Sequence, residues 1–265
     1  MKSPISYYGG KAMMVKTLES LIPDHKTYVE SFAGGLSLFF HKQPSKIEVI
    51  NDINCNVSNF YKQIKHNFNK LNEMIQDTLH CESTYNYARD IYRGRVDVDD
   101  ITRAWAFWVG ANYSFGGSVF DGSFQITTNS NDSCHPGTKS NEKRRRFLQY
   151  QHRLERAMIL NKDAIEVISK YNNPDIFHYA DPPYIGANQG HYYGYKLEDF
   201  KNLLDVASTT KSKIMISCYW HDIISDYNFN IYKKEMPIRI SNASQKKTEI
   251  ILTNYIKNDL FNSAV

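Results

Sequence analysis

The strongest constraint on the fold is the order of elements in the first sixty residues. Thr27 to Glu30 (TYVE) reads as a short strand, and Ser31-Phe32-Ala33-Gly34-Gly35 as a turn. Leu36 to His41 opens a helix, and Ile47 to Ile50 (IEVI) is a second strand that ends in Asn51-Asp52. Strand, glycine turn, helix and strand make a βαβ unit, and such a unit implies a parallel sheet. Val15 to Ile22 is a short helical pattern ahead of it, stopped by Pro23-Asp24.

The middle of the chain follows another rule. Residues 57 to 100 are polar with helical spacing, and Asp97 to Ala111 forms an aromatic-rich helix. Residues 112 to 141 are loop-like, with a hairpin signal at Asp121-Gly122. Phe147, Tyr150, Leu154 and Ala157 recur at helical spacing and predict an amphipathic helix. After Asn161 the α/β pattern returns. Ile176 to Ala180 (IFHYA) and Lys213 to Cys218 are strands, Leu197 to Ala207 is a helix, and Phe229 to Met236 with Glu249 to Tyr255 is a closing antiparallel pair. The expectation is one discontinuous α/β domain, residues 1–56 and 159–265, carrying a mostly helical insertion at 57–158.

Composition enters through charge. The chain holds 32 Lys and Arg against 28 Asp and Glu, a net charge of +4. Between Lys139 and Arg156 there are seven cations and two acids, so this segment carries +5 and the remaining 247 residues sum to −1. Lys139, Lys143, Arg144, Arg145 and Arg146 have the density of a phosphate-contacting surface. A solvated helix face is the other reading of the same residues. Nearby, Phe115, Phe120 and Phe124 among glycines suit either a hairpin that enters a duplex or an ordinary surface hairpin.

Several classes are excluded at this level. The longest apolar stretch, Ala104 to Ala111, is eight residues and cannot span a bilayer. The start, MKSPISYYGGK, turns polar too early for a signal peptide. The four Cys are widely spaced without a CxxC pair, which argues for a reducing interior and against a zinc knuckle. The nine His show no ligand spacing, and His178 reads as a structural residue in its strand.

Three constellations carry chemistry. Phe32-Ala33-Gly34-Gly35 follows a strand, and its glycines either let the backbone approach a ligand or simply build a tight turn. Asp52, seventeen residues after Gly35, stands where an acid binds ribose hydroxyls in nucleotide-binding α/β domains. The full GxGxxG of a dinucleotide fold is absent. Asp181-Pro182-Pro183-Tyr184 follows a strand at the carboxyl edge, where open sheets bind ligands. Its two prolines lack N–H groups and stiffen the turn, which suits the grip of a planar amino group with an aromatic ring against its face. Tyr7-Tyr8-Gly9-Gly10-Lys11 offers a lysine to neutralise a carboxylate.

YYGGK at 7–11, FAGG at 32–35, NDIN at 51–54 and DPPY at 181–184 occur in the order found in the Dam-type DNA adenine-N6 methyltransferases, which the chain resembles over residues 1–60 and 160–255. The resemblance implies a Rossmann-like class I methyltransferase sheet with a C-terminal antiparallel strand pair, and an inserted target-recognition domain. It implies S-adenosylmethionine as cofactor, with Tyr7 and Lys11 in contact with it and Lys11 near its carboxylate. Phe32, Ala33, Gly34 and Gly35 would line its methionine part, Asp52 would hold its ribose, and Asp163 would lie near its adenine. Asp163 reads equally as a helix N-cap before Ala164.

By the same resemblance Asp181, Pro182, Pro183 and Tyr184 hold a flipped-out adenine, with Asp181 also on the cofactor side. The adenine amino nitrogen is a poor nucleophile because its lone pair is delocalised. Hydrogen bonds to the Asp181 carboxylate and the Pro182 carbonyl would localise that pair for in-line attack on the sulfonium methyl, with no metal required. Asp at the first motif position points to adenine N6, whereas Ser is typical of cytosine-N4 enzymes. RNA adenine, cytosine N4 and a non-catalytic nucleic-acid-binding homologue are the alternatives. The GATC-reading hairpin of the family keeps only Gly-x-Phe here, in DGSFQITTN, so GATC specificity is not implied. The expected partner is double-stranded DNA and not a membrane, with a cognate restriction endonuclease acting separately, and the enzyme acting as a monomer or weak dimer. The expected setting is the cytoplasm, in a bacterial or phage-encoded protein.

Overall fold

The computed structural model describes residues 1–126, 147–186, 194–240 and 243–257, with the side chains of 237–240 and 243–246 left aside. The chain divides into two compact units. The first comprises Met1–Val15, Ala33–Pro44 and Asp52–Asn161, and the second Lys16–Phe32, Ser45–Asn51 and Lys162–Val265. Residues 57–158 fall wholly within the first unit, which also takes in the YYGGK segment and most of the FAGG turn.

The described strands are β1 (Thr27–Glu30), β2 (Ile47–Asn51), β3 (Ala157–Leu160), β4 (Ile176–Ala180), β5 (Lys213–Cys218), β6 (Asn230–Ile240) and β7 (Ala243–Thr253). Within the second unit six of them form a sheet in the order β2-β1-β4-β5-β7-β6. Within the second unit β1 runs parallel to β2 (Thr27↔Ile47) and to β4 (Thr27↔Ile176), and β4 runs parallel to β5 (Phe177↔Lys213). β7 is antiparallel to β5 (Cys218↔Ile250) and to β6 (Lys234↔Glu249). This mostly parallel, Rossmann-like sheet with an antiparallel C-terminal pair is the one the resemblance implied.

All four residues of β1 are buried, as are the last four of β4 and five of the six in β5. Central parallel strands are covered on both faces, which is why they read as continuous apolar runs. In the second unit α1 (Val15–Leu21) enters from Val15, and α8 (Ala164–Lys170) and α9 (Leu197–Thr209) complete the helices. Leu203 and Leu204 of α9 pack with Ile214, Ile216 and Leu252 in one buried cluster.

The first unit is mostly helical: α2 (Ser37–His41), α3 (Cys55–His66), α4 (Phe68–Gln76), α5 (Glu82–Tyr92), α6 (Asp100–Tyr113) and α7 (Phe147–Leu154). α6 is its centre, buried at every residue from Ala104 to Tyr113 and packed by α3, α4 and α5. Asp99 caps α6 by accepting from the Thr102 N–H at 2.8 Å. Trp105 and Trp108 are packing residues: Trp108 is fully buried, and Trp105 donates its ring N–H to Thr78 Oγ1 at 2.7 Å.

Two local expectations change. Ala157 does not extend the amphipathic helix. The helix ends at Leu154, and Ala157–Leu160 is β3, a four-residue strand whose apolar spacing imitates one more helical turn. The Ser114–Phe124 stretch does pair as a hairpin, through the Ser114↔Phe124 bridge and the Phe115 N–H on Ser123 O at 2.9 Å. Its aromatic rings mostly face inward, however. Phe120 is 4% exposed and packs on Tyr85 and Tyr92, and Phe124 lies against His80 and Tyr85; Phe115 is 69% exposed.

Candidate active site

The YYGGK, FAGG and NDIN residues that fall in the first unit are held by backbone geometry. Gly34 has φ +43° and Leu36 φ +51°, so the FAGG turn passes twice through the left-handed region. Gly34 enters it without steric cost, whereas Leu36 stores strain that the surroundings must offset. The Gly34 peptide is gripped on both sides. Its N–H donates to Asp52 Oδ2 at 2.8 Å, and its carbonyl accepts from the Tyr61 hydroxyl of α3 at 2.9 Å. Ala33 is buried, and its carbonyl accepts from Leu36 N–H at 2.7 Å to close the turn.

Asp52 is 5% exposed, and its Oδ1 accepts from the Asn54 N–H at 2.9 Å. Burial raises its pKa to about 6, against the opposing pull of the Gly34 and Asn54 N–H groups. The FAGG turn and the NDIN acid are thus joined by one hydrogen bond across the strand end. The YYGGK segment packs on the same turn. A Cβ at Gly35 would stand 3.0 Å from the Tyr7 Cβ, so glycine is what lets the two segments approach. Tyr7 O accepts from Gly10 N–H at 3.0 Å, and buried Lys11 donates from Nζ to Gly9 O at 2.8 Å. The hairpin and α6 brace the segment: Tyr8 N–H donates to Gly117 O at 3.1 Å, and Ser6 N–H to Asn112 Oδ1 of α6 at 3.1 Å.

The remaining candidates lie in the second unit. Phe32 stands edge-on to Tyr195, with centroids 6.3 Å apart. Asp163 caps α8, accepting from the Ile165 and Glu166 N–H groups at 2.8 and 3.3 Å. Its N-cap reading therefore has a direct structural counterpart.

Asp181-Pro182-Pro183-Tyr184 follows β4 at the carboxyl edge of the parallel strands, with Pro182 buried and the other three half-buried. The Tyr184 hydroxyl lies 3.1 Å from Asp181 Oδ1 and 2.8 Å from Glu249 Oε2 on β7. The Tyr184 ring meets Tyr219 edge-on at 4.4 Å, and Lys247 Nζ sits 3.9 Å over the Tyr219 ring. Burial first, then the Asp181 and Glu249 charges, push the Tyr184 phenol well above its ordinary pKa. The corner thus brings together a carboxylate, two successive prolines and an aromatic ring fixed at its hydroxyl.

Lys139, Lys143, Arg144, Arg145 and Arg146 lie outside the described residues. Of the other cations in that segment, Arg153 turns inward. Its guanidinium covers the Phe39 ring at 3.7 Å and donates to Phe39 O at 2.8 Å. Among the described residues no cluster of His, Cys, Asp or Glu could hold a metal ion, and no helix is long and apolar enough to cross a membrane.

Sequence reasoning missed Glu249, Tyr219 and the role of Asn51. Asn51 is 1% exposed, donates to Ser31 O and Lys162 O at 3.0 Å each, and accepts from Lys162 N–H at 3.0 Å. NDIN therefore serves two purposes: its Asn locks the strand ends of the second unit, and its Asp holds the glycine turn of the first. A polar residue in the strand pattern TEIILTN was the available signal for Glu249.

The profile of the D12 class N6 adenine-specific DNA methyltransferases matches residues 7–249. The chain belongs to that family. The match spans all four motifs and ends at Glu249. Among relatives, the type II methyltransferase M1.LlaDCHI of Lactococcus lactis subsp. cremoris is 28% identical over 93% of each chain. The type II methyltransferase M.CviBI of Paramecium bursaria Chlorella virus NC1A is 24% identical over 96% of this chain and all of its own. M.MjaIII of Methanocaldococcus jannaschii, also a type II methyltransferase, is 23% identical over 76% of each chain.

Proposed function

We propose that this D12-class enzyme methylates the N6 amino group of an adenine flipped out of double-stranded DNA at a specific site, with S-adenosylmethionine as donor. The observation that carries the reading is the DPPY corner, where Asp181 stands at the end of β4 beside a tyrosine ring anchored through its hydroxyl.

The first unit suits the cofactor by its donor set. Asp52 is a fixed carboxylate of the kind that accepts from a ribose diol, and its second lone pairs remain for that purpose. Lys11 would face the methionine carboxylate, Tyr7 would support the segment, and Phe32, Ala33, Gly34 and Gly35 would line the methionine part. Asp163 would serve near the adenine through the oxygen that α8 does not use. When bound, S-adenosylmethionine supplies its methyl group as an electrophile on a sulfonium.

Asp181 accepts from the target amino group and draws its hydrogens away from the ring plane, which restores a localised lone pair on nitrogen. Pro182 and Pro183 hold the carbonyl directions of the turn, and the Tyr184 ring covers the base face. Lys139, Lys143 and Arg144 to Arg146 would grip the phosphates, in keeping with their charge density. Residues 57–158 would form the target-recognition domain. The enzyme would act in the cytoplasm, as a monomer or weak dimer, and a separate restriction endonuclease is the protein partner this reading allows.

Incubating the protein with isotopically labelled S-adenosylmethionine and a mixture of unmethylated genomic DNA and total RNA, then separating the two and digesting each to nucleosides for mass spectrometry, tests the reading. Labelled N6-methyladenine is the expected product. Labelled N4-methylcytosine, label appearing in RNA alone, or no transfer would overturn it.

A further inference from the structure

The Tyr184 hydroxyl carries one hydrogen yet faces two carboxylates, Glu249 Oε2 at 2.8 Å and Asp181 Oδ1 at 3.1 Å. Its raised pKa keeps that hydrogen in place at any working pH. The two acids are therefore competitors, and the shorter contact goes to Glu249. The sheet register accounts for the reach. The last β5–β7 pair is Cys218↔Ile250, so Tyr219 and Glu249 come one step beyond it, at the edge where β4 runs into Asp181. Lys247 and Glu249 share one face of β7 by the two-residue period of a strand. Lys247 covers the Tyr219 ring and Glu249 takes the Tyr184 hydroxyl, so β7 supports both rings of the corner.

We propose that Glu249 is a positioning residue that holds the Tyr184 hydrogen away from Asp181, leaving the Asp181 carboxylate to accept from the amino group of the target base. The proposal rests on the reading above that DPPY holds that base. Without Glu249, the phenol turns its hydrogen to Asp181, occupies the nearer oxygen and lowers its strength as an acceptor.

The test is single-turnover methyl transfer from tritiated S-adenosylmethionine to unmethylated genomic DNA at saturating DNA. Glu249→Ala should slow transfer about tenfold while binding the cofactor and DNA as the wild type does. Glu249→Gln, whose amide oxygen still accepts from the phenol, should recover most of the rate. In a Tyr184→Phe background there is no hydrogen to divert, so adding Glu249→Ala should cost little more. A role in stability alone would instead give the same loss in both backgrounds. If Glu249→Ala does not fold, Glu249→Met keeps the length without an acceptor and carries the same comparison. Wild-type rates in Glu249→Ala, or full additivity with Tyr184→Phe, would overturn the proposal while leaving the assignment of DPPY intact. A wild-type protein that transfers no methyl group would remove both.

Discussion

Asp52 meets two backbone donors, Gly34 N–H and Asn54 N–H, with its two oxygens. An asparagine has one oxygen and one amino group, so it satisfies one of those donors and turns a second donor toward the other. Asp52→Asn should therefore loosen the FAGG turn as well as lose charge. S-adenosylmethionine binding, followed by calorimetry, should weaken about tenfold to a hundredfold, as expected for loss of a hydrogen bond to a charged group. Unchanged affinity would show that the acid supports the turn without serving the ligand. His178 illustrates the opposite case, a titratable residue kept neutral. It is fully buried, its ring N–H donates to Tyr171 O at 2.7 Å, and burial lowers its pKa to about 4. This agrees with its reading as a structural residue.

At the scale of elements, Asn51 ties the ends of β1 and β2 to the start of α8 with three hydrogen bonds. Asn51→Ala leaves the buried Ser31 carbonyl, and the part-buried carbonyl and N–H of Lys162, without this partner. It should cost roughly 2–4 kcal/mol, read as a lower urea midpoint with an unchanged slope. Strand limits were legible where local pattern decides them: Thr27–Glu30, Ile176–Ala180 and Lys213–Cys218 are bounded as the apolar runs suggest. β3 was not legible, because Leu154 and Ala157 keep helical spacing across a helix end that no proline or glycine marks. The partners of Asn51 and Glu249 were hidden for a different reason. Lys162 is 111 residues from Asn51 and Tyr184 is 65 from Glu249, and only the folded chain brings such pairs together. DPPY, FAGG and NDIN were readable as strand ends, because local sequence fixes the turn there.

For the whole molecule, two buried groups pull the pH dependence of stability in opposite directions. His178 has a depressed folded pKa of about 4 against 6.5. Between those values the unfolded chain binds more protons, so its contribution to stability is lost as pH falls from 6.5 towards 4. Asp52 has a raised folded pKa of about 6 against 3.8, so the folded state binds more protons there and gains stability over the same fall. Each shift is worth roughly 3 kcal/mol, and the two nearly cancel. His178→Phe should remove one side. Its stability relative to wild type should improve by roughly 3 kcal/mol between pH 7 and pH 4, by urea denaturation at both values. A difference independent of pH would contradict the neutral, buried assignment.

On the function proposed above, the DPPY corner of this D12-class chain performs the methyl transfer. Asp181→Ala, assayed for methyl transfer to DNA alongside calorimetric binding of S-adenosylmethionine, tests it most directly. Methyl transfer should fall by about a thousandfold or more, with cofactor affinity within a few-fold of wild type. Transfer at the wild-type rate by Asp181→Ala would contradict it.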